Sequence, residues 1–293
     1  MPRVWLFFAA LILLVAPQAS AQQQRDPFNG QFGIVEIVRP PAEAAQLGKL
    51  MGDAIGALRP QRPGQLDVYL ITASLWGDPV FEREARQAEQ ILREHFGAPA
   101  VDGHAILLSA GGDGERRYPA ATPNNISAAI GQVGGLIDPN EDLVVIFITS
   151  HGSPDGSVAL REHNRLGASM RATHLRDLLS QAGIRNRVVI VSACFSGAFI
   201  PPLMDDNTIV LTAAASDRSS FGCQPQRDWT FFGDAYFNHA VRGGAPLVSA
   251  FDDAKVLIER WEREQNLSPP SNPQRHVGAN AAQMLRRAER NAR

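Results

Sequence analysis

Residues 188–197 read V-V-I-V-S-A-C-F-S-G, so a run of β-branched residues ends near a cysteine, Cys194. Four β-branched residues in succession are typical of a strand covered on both faces, as in a parallel sheet. The small residues around Cys194 permit a tight turn directly after this strand. We therefore predict a buried strand that delivers Cys194 to one edge of a sheet. A helix after the turn would favour the thiolate form, because its first N–H groups are unpaired.

A second apolar run, residues 142–149, ends in the same manner on Ser150, His151 and Gly152. In an open parallel sheet the carboxyl ends of the strands lie along one edge, and the loops there carry the chemistry. His151 is therefore the predicted general base for Cys194. Gly152 lets a substrate approach the backbone closely, so its N–H and that of Cys194 are predicted to hold an oxyanion.

These two stretches, S-H-G at 150–152 and S-A-C-F-S-G at 192–197, resemble the legumain family of cysteine peptidases, in a bacterial-type member. The stretches S-S-F-G-C at 219–223, F-G-D at 232–234 and H-V-G at 276–278 also look like landmarks of that family. The resemblance extends from about residue 67 to about residue 278. It implies a caspase-like fold and a cysteine endopeptidase that cleaves after asparagine or aspartate.

The resemblance also implies a substrate-binding pocket made by Arg83, Ser192, Ser220 and Asp234. The segment around Arg83, F-E-R-E-A, looks like the pocket-arginine region of the family with its charges rearranged, and Ser192 stands where many members carry glutamate. Asp234 as acceptor and Arg83 as donor would suit an asparagine amide. If Glu82 and Asp234 face inward instead, the pocket would attract lysine or arginine.

Strand and helix patterns alternate along the chain, which predicts an α/β fold. We expect a doubly wound, mostly parallel sheet with helices on both faces. The predicted strands are 67–72, 104–109, 142–149, 188–191 and 208–212, with a short hairpin at 157–161. The predicted helices begin near 80 and 123 and span 174–182, 230–241 and 247–264. The helix near 80 has an apolar stripe from Phe81 to Phe96, with its charges elsewhere.

The N-terminus has the pattern of a signal peptide, which we assign to residues 1–21. One basic residue, Arg3, precedes an apolar run at 4–16 and the small residues Ala19 and Ala21. The apolar run is too short to span a bilayer, so we expect a secreted or periplasmic protein without stable membrane insertion after signal cleavage. The remainder divides into an N-terminal arm (22–66), a peptidase domain (67–280) and a C-terminal tail (281–293).

Composition limits the partners to peptides or proteins. The chain has 28 basic and 30 acidic residues, a balance that gives no electrostatic reason to bind nucleic acid. The seven histidines show no metal-ligand spacing, so we expect neither a metal nor a cofactor. The two cysteines, Cys194 and Cys223, are able in principle to form one disulfide. We favour a free Cys194 and a small buried Cys223. The oligomeric state is not predicted.

Three other functions compete with the endopeptidase. A transamidase or transpeptidase would use the same acyl-enzyme, because an amine resolves it as readily as water does. A catalytically silent caspase-like binding protein is disfavoured by the intact His151, Gly152 and Cys194. A Rossmann-like redox or ligand-binding protein is disfavoured because the sequence lacks both C-x-x-C and a nucleotide fingerprint.

Overall fold

The computed structural model describes residues 35–292, and the strands in that range form two sheets. Its strands are β1 Val35–Glu36, β2 Val68–Ser74, β3 Ala105–Ser109, β4 Leu143–Thr149, β5 Ser157–Glu162, β6 Leu166–Arg171, β7 Arg187–Ser192, β8 Thr208–Thr212 and β9 Gln274–Val277. The larger sheet has the order β3-β2-β4-β7-β8-β9, and the smaller has the order β1-β6-β5.

The helices connect these strands or flank them. They are α1 Pro41–Gly56, α2 Pro79–Phe96, α3 Ala98–Val101, α4 Pro123–Leu136, α5 Ala172–Gln181, α6 Ile200–Leu203, α7 Phe231–Gly233, α8 Leu247–Glu264 and α9 Ala279–Asn291. A 3₁₀ turn, Ser196–Phe199, precedes α6, and a π-helix, Asp234–Val241, continues α7. No helix of residues 35–292 has the length and apolar character needed to cross a membrane.

The larger sheet confirms the predicted α/β fold class. Strands β3, β2, β4, β7 and β8 run parallel, and the edge strand β9 pairs antiparallel with β8. Side chains alternate between the two faces along each strand, so an apolar strand presents apolar side chains on both faces. Helices cover both faces of the sheet. In β4, Leu143 and Phe147 join the core cluster of α2, α8 and α9, whereas Val144 and Ile148 join that of α4 and α5. All seven residues of β4 are buried, as the apolar run predicted.

The predicted hairpin at 157–161 is longer than expected and belongs to the smaller sheet. Strand β5 pairs with β6 over six residues, and β1 adds antiparallel to β6. Arg39, just after β1, forms a 2.6 Å ion pair with the buried Glu162 of β5. The segment from β1 to α1 is therefore fastened to the hairpin that follows Gly152.

The assigned arm, 22–66, is described from residue 35 onward. This part lies outside the six-stranded sheet, but Leu58 is buried in a core cluster and Ile55 of α1 packs against it. The signal peptide at 1–21 and residues 22–34 lie outside the described residues. The division of the chain into an arm and a peptidase domain stays a prediction.

The C-terminal segment corrects one expectation. The sequence predicts a tail at residues 281–293, but α9 packs Ala281, Leu285 and Ala288 into the core cluster of α2 and α8. Three of the six buried residues of α9 are alanines, and its other face carries arginines. Ala281, Met284, Leu285 and Ala288 recur at the spacing of one helix face, so the signal for this helix was available in the sequence. Strand β9 has the sequence Q-R-H-V, in which a single apolar residue gives no strand pattern.

Candidate active site

The hydrogen-bond register between β4 and β7 brings the predicted catalytic residues to one edge of the sheet. The two strands are parallel and Thr149 is paired with Ser192, the last residue of each strand. The Ser150 N–H continues the ladder by donating to the Ser192 carbonyl at 3.1 Å. His151 and Cys194 each lie two residues beyond this last pair. The structure therefore places both at adjacent carboxyl ends of strands, as the sequence predicted.

Gly152 is in direct contact with the backbone of Cys194. A Cβ atom at position 152 would overlap the Cys194 carbonyl oxygen, so only glycine fits here without displacing one of the two loops. Within residues 35–292, the backbone N–H groups of Gly152 and Cys194 donate to no protein acceptor. They are the two donors that the sequence predicted for an oxyanion, and both are available for that purpose.

The turn after Cys194 is sharper than expected. Phe195 has φ of 57°, in the left-handed region that bulky residues rarely adopt, and its N–H donates to the Arg218 carbonyl at 2.7 Å. The expected helix is present only as a four-residue 3₁₀ turn followed by the four residues of α6. So short a helix has a small dipole, which corrects the predicted source of thiolate stabilisation.

The loop after β8 supplies polar contacts to the thiol instead. The Ser220 N–H points to Cys194 Sγ at 3.2 Å, and its hydroxyl oxygen lies 3.5 Å from the same sulfur. Ser220, predicted as a pocket residue, thus lies against the candidate nucleophile. Both cysteines are free thiols. Burial is the main cause that raises the pKa of Cys223 to about 12, so Cys223 is a poor nucleophile near neutral pH.

His151 lies in an aromatic recess with one carboxylate beside it. Its ring meets the rings of Trp76 and Phe81 edge to face, with centroids 4.8 Å and 5.0 Å away. Its Nε2 lies 3.7 Å from Asp78 Oδ2. Burial lowers the pKa of His151, and the Asp78 charge opposes that effect only in part. The imidazole is therefore mostly neutral at neutral pH, the form that accepts a proton.

Sequence reasoning missed Asp78. Asp78 immediately precedes Pro79, the first residue of α2, and both follow the carboxyl end of β2. The signal was therefore available: a polar residue at a helix N-cap, next to the strand edge that carries the candidate site.

The predicted pocket residues Arg83 and Asp234 have different partners. Arg83 forms ion pairs with Asp113 at 2.5 Å and with Asp228 at 3.2 Å, and it donates to backbone carbonyls at 225 and 227. Asp234 accepts from the Asn238 amide at 2.7 Å and has the Arg227 guanidinium 3.9 Å away. The structure thus does not pair Arg83 with Asp234, because the Arg83 guanidinium is bound by the 225–228 loop. The guanidinium nearest Asp234 is that of Arg227.

Ser192 is buried and its hydroxyl points toward α2 rather than toward solvent. It lies 3.0 Å from Thr230 Oγ1 and 3.4 Å from a carboxylate oxygen of Glu84. A carboxylate therefore does reach this place, but from helix α2. Position 84 is three residues after Phe81 and four before Ala88, on the buried stripe, which was the signal available in the sequence.

One family profile and two solved structures are similar to this chain. Residues 117–277, more than half of the chain, match the sequence profile described as the Peptidase C13 family. The chain is similar to the structure of caspase-1 from Spodoptera frugiperda, with 8% identity and a TM-score of 0.48 over 73% of this chain and 86% of that one. It is also similar to pro-sf-caspase-1, with 8% identity and a TM-score of 0.47 over 74% and 93%. No curated protein matches the chain.

The contact between Gly152 and Cys194 yields a prediction for Gly152→Ala. The added Cβ overlaps a backbone oxygen and must push the ends of β4 and β7 apart, so we expect the free energy of unfolding to fall by at least about 2 kcal/mol. Gly131→Ala is the matched control, because Gly131 lies in α4 with open space around it and alanine favours helix by about 1 kcal/mol. Urea unfolding measures both, and equal stability of Gly152→Ala and wild type would contradict the close contact.

Proposed function

Because the chain belongs to the Peptidase C13 family, the legumain family of cysteine peptidases, we propose that it is a cysteine endopeptidase in which Cys194 is the nucleophile and His151 the general base. The observation that supports this assignment is the pairing of Thr149 with Ser192, because His151 and Cys194 each follow two residues after this pair on adjacent parallel strands. Its substrates are peptides or proteins, as the family membership indicates.

In the proposed reaction, the thiolate sulfur of Cys194 attacks the carbonyl carbon of the scissile peptide bond. The carbonyl oxygen becomes an oxyanion and accepts hydrogen bonds from the N–H groups of Gly152 and Cys194. His151, protonated by the thiol, gives that proton to the leaving nitrogen as the C–N bond breaks. A water molecule then attacks the thioester, His151 takes its proton, and the carboxylic acid leaves with the thiol restored.

Two groups support the thiolate that this reaction needs. The Ser220 N–H donor lies 3.2 Å from Cys194 Sγ, and a hydrogen bond to the charged form of a group favours that form. His151, which follows the end of the neighbouring strand, is the second, because it becomes a cation on taking the thiol proton and a nearby cation favours the thiolate. Asp78, 3.7 Å from the ring, stabilises that cation.

Alanine substitutions of Cys194, His151 and Cys223 test the assignment. Cys194→Ala and His151→Ala are each expected to lower kcat/KM by about 10³-fold or more, because each removes a group that acts as part of one unit. Cys223→Ala is the matched control and should retain activity, since the Cys223 thiol stays protonated at neutral pH. Cleavage of a mixed fluorogenic peptide library is the measurement. Wild-type rates for either of the first two variants would refute the proposed roles.

We further propose a preference for asparagine or aspartate before the cut bond. Asp234 offers an acceptor for an amide, and the Arg227 guanidinium, 3.9 Å from Asp234, offers donors for an amide or a carboxylate. Arg83 acts indirectly here, by holding the carbonyl of Arg227 at 2.8 Å. Polar groups left unpaired by the wrong side chain make such a preference large.

A peptide library varied at the residue before the cut tests this preference. We expect asparagine or aspartate to exceed alanine by about 10²-fold or more in kcat/KM. Arg83→Ala should weaken cleavage after asparagine while iodoacetamide still alkylates Cys194 at the wild-type rate. A preference for lysine or arginine would reject the assignment and favour an inward-facing acidic pocket. A flat profile would reject the pocket.

We propose that the protein is exported, with residues 1–21 removed as a signal peptide. The supporting observation is the basic residue, apolar run and small-residue site at the N-terminus. N-terminal sequencing of protein recovered outside the cytoplasm should begin at Gln22. A chain that is found only inside the cytoplasm and still begins at residue 1 or 2 would contradict this proposal.

A further inference from the structure

Glu84 of α2 is a fully buried carboxyl group at the edge of the sheet that carries the candidate site. Hydroxyl groups from three other segments converge on it. Thr149, the last residue of β4, donates to Oε2, and Thr230, the N-cap of α7, donates to Oε1 at 2.7 Å. Ser192, the last residue of β7, lies 3.4 Å from Oε1. The carboxyl group therefore connects α2 with β4, β7 and the start of α7.

The packing leaves no room for a substrate at this group. A Cβ atom on Gly233 would overlap Glu84 Oε1, so the carboxyl group lies directly against the backbone of α7. Thr230 Oγ1 also accepts from the Gly233 N–H at 3.0 Å. Glu84 is therefore an internal element of the site and does not belong to its surface.

The three hydroxyl groups around Glu84 can all donate hydrogen bonds when its carboxyl group is ionised. Each of the three hydroxyl groups has one proton to give, and among residues 35–292 their acceptors are the carboxylate oxygens and, for Ser192, also Thr230 Oγ1. If Glu84 takes up a proton, that proton requires one of these oxygens as its acceptor. The hydroxyl group that accepts it no longer donates to Glu84: Thr149 would lose its acceptor, whereas Ser192 would donate to Thr230 Oγ1 instead. The hydrogen bonds between Glu84 and the two strand ends therefore differ between the ionised and the protonated form.

Two of these hydroxyl groups lie two residues before the proposed catalytic groups. Thr149 precedes His151, and Ser192 precedes Cys194, on paired strands. We propose that Glu84 is a positioning residue, whose hydrogen bonds to Thr149 and Ser192 fix the two strand ends from which His151 and Cys194 project. This inference rests on the proposed function, because it assigns Glu84 a role in placing the nucleophile and base named there.

The electrostatic surroundings make this arrangement sensitive to pH. Burial, the largest cause, raises the pKa of Glu84 to about 7, and the hydrogen bonds from Thr149, Thr230 and Ser192 act in the opposite direction. Glu84 has no ion-pair partner among residues 35–292. Its charge helps to raise the pKa of Cys223. The hydrogen-bonded arrangement of the ionised form is therefore gained as the pH rises through neutrality.

The test compares Glu84→Gln with wild type and with Glu289→Gln, measuring kcat, KM and thermal unfolding from about pH 5.5 to about pH 8.5. Glutamine keeps the shape of Glu84 but not its charge, so the variant resembles the protonated form. We expect kcat to fall by about 10-fold at the upper end of this range, with KM changed less than about threefold, and the loss to shrink toward the lower end. Glu289→Gln, the control, removes another buried carboxylate, which bonds His95 and the Leu247 N–H. It should leave kcat unchanged.

Thr149→Val carries the same test if Glu84→Gln does not fold. It removes one hydroxyl donor, keeps the branched shape, and should lower kcat in the same direction but by less. A loss of kcat that is equal at every pH and matched by Glu289→Gln would overturn the proposal. So would wild-type kcat in both Glu84→Gln and Thr149→Val.

Alkylation of Cys194 by iodoacetamide separates this proposal from the proposed function, because it needs no peptide substrate. We expect Glu84→Gln to slow alkylation by about threefold or more at the upper end of the pH range and less at the lower end. If wild type cleaves no peptide, yet Glu84→Gln is alkylated more slowly than wild type, the peptidase assignment fails and the role of Glu84 in placing Cys194 stands. If wild type cleaves peptides and both rates are unchanged by Glu84→Gln, the role of Glu84 alone fails.

Discussion

The backbone hydrogen bonds between β4 and β7 are the constraint on which the site depends. Two parallel strands in register end on Thr149 and Ser192, so the residues that follow them leave the sheet side by side. A slip by one residue would reverse the face of every side chain in one strand. It would turn Ser192 toward the α4 and α5 face and expose the apolar Val191 to Glu84. The buried run of each strand therefore fixes the position of His151 and Cys194 as well as the core.

Backbone contacts then bring the two strand ends into one site. Gly152 meets the Cys194 carbonyl at a distance that excludes any side chain. The left-handed Phe195 turns the chain sharply after the thiol, and its N–H is held by the loop after β8. That loop also brings Ser220 to the sulfur. The groups around the thiol thus come from three strand ends, and no single segment contains them.

The sequence was sufficient where local pattern and global position coincide. Continuous apolar runs predicted the buried strands, and the residues directly after them predicted His151, Gly152 and Cys194. It was insufficient for contacts between distant segments. Whether Arg83 faces a pocket or the 225–228 loop depends on a loop path that no periodicity encodes. Asp78 is the N-cap of α2 and Glu84 is a polar residue on it, and their positions in the site follow from what α2 packs against.

Glu84 is also a costly residue, which bears on why the fold contains it. Burial raises its pKa from an ordinary value of 4.5 to about 7, so its ionisation destabilises the folded protein by about 3 kcal/mol. The contribution of the protonated Glu84 to the free energy of unfolding is complete below the pKa that Glu84 has in the unfolded chain. It is lost as the pH rises through about 7, the pKa of Glu84 in the folded protein. An apolar side chain at this core-facing position would avoid that cost if Thr149, Ser192 and Thr230 were apolar too. All four positions are polar, and they are located where the strands that carry His151 and Cys194 meet α2 and α7. Stability alone does not account for a polar cluster at this place, whereas the role that we propose for Glu84, fixing the strand ends that precede His151 and Cys194, does.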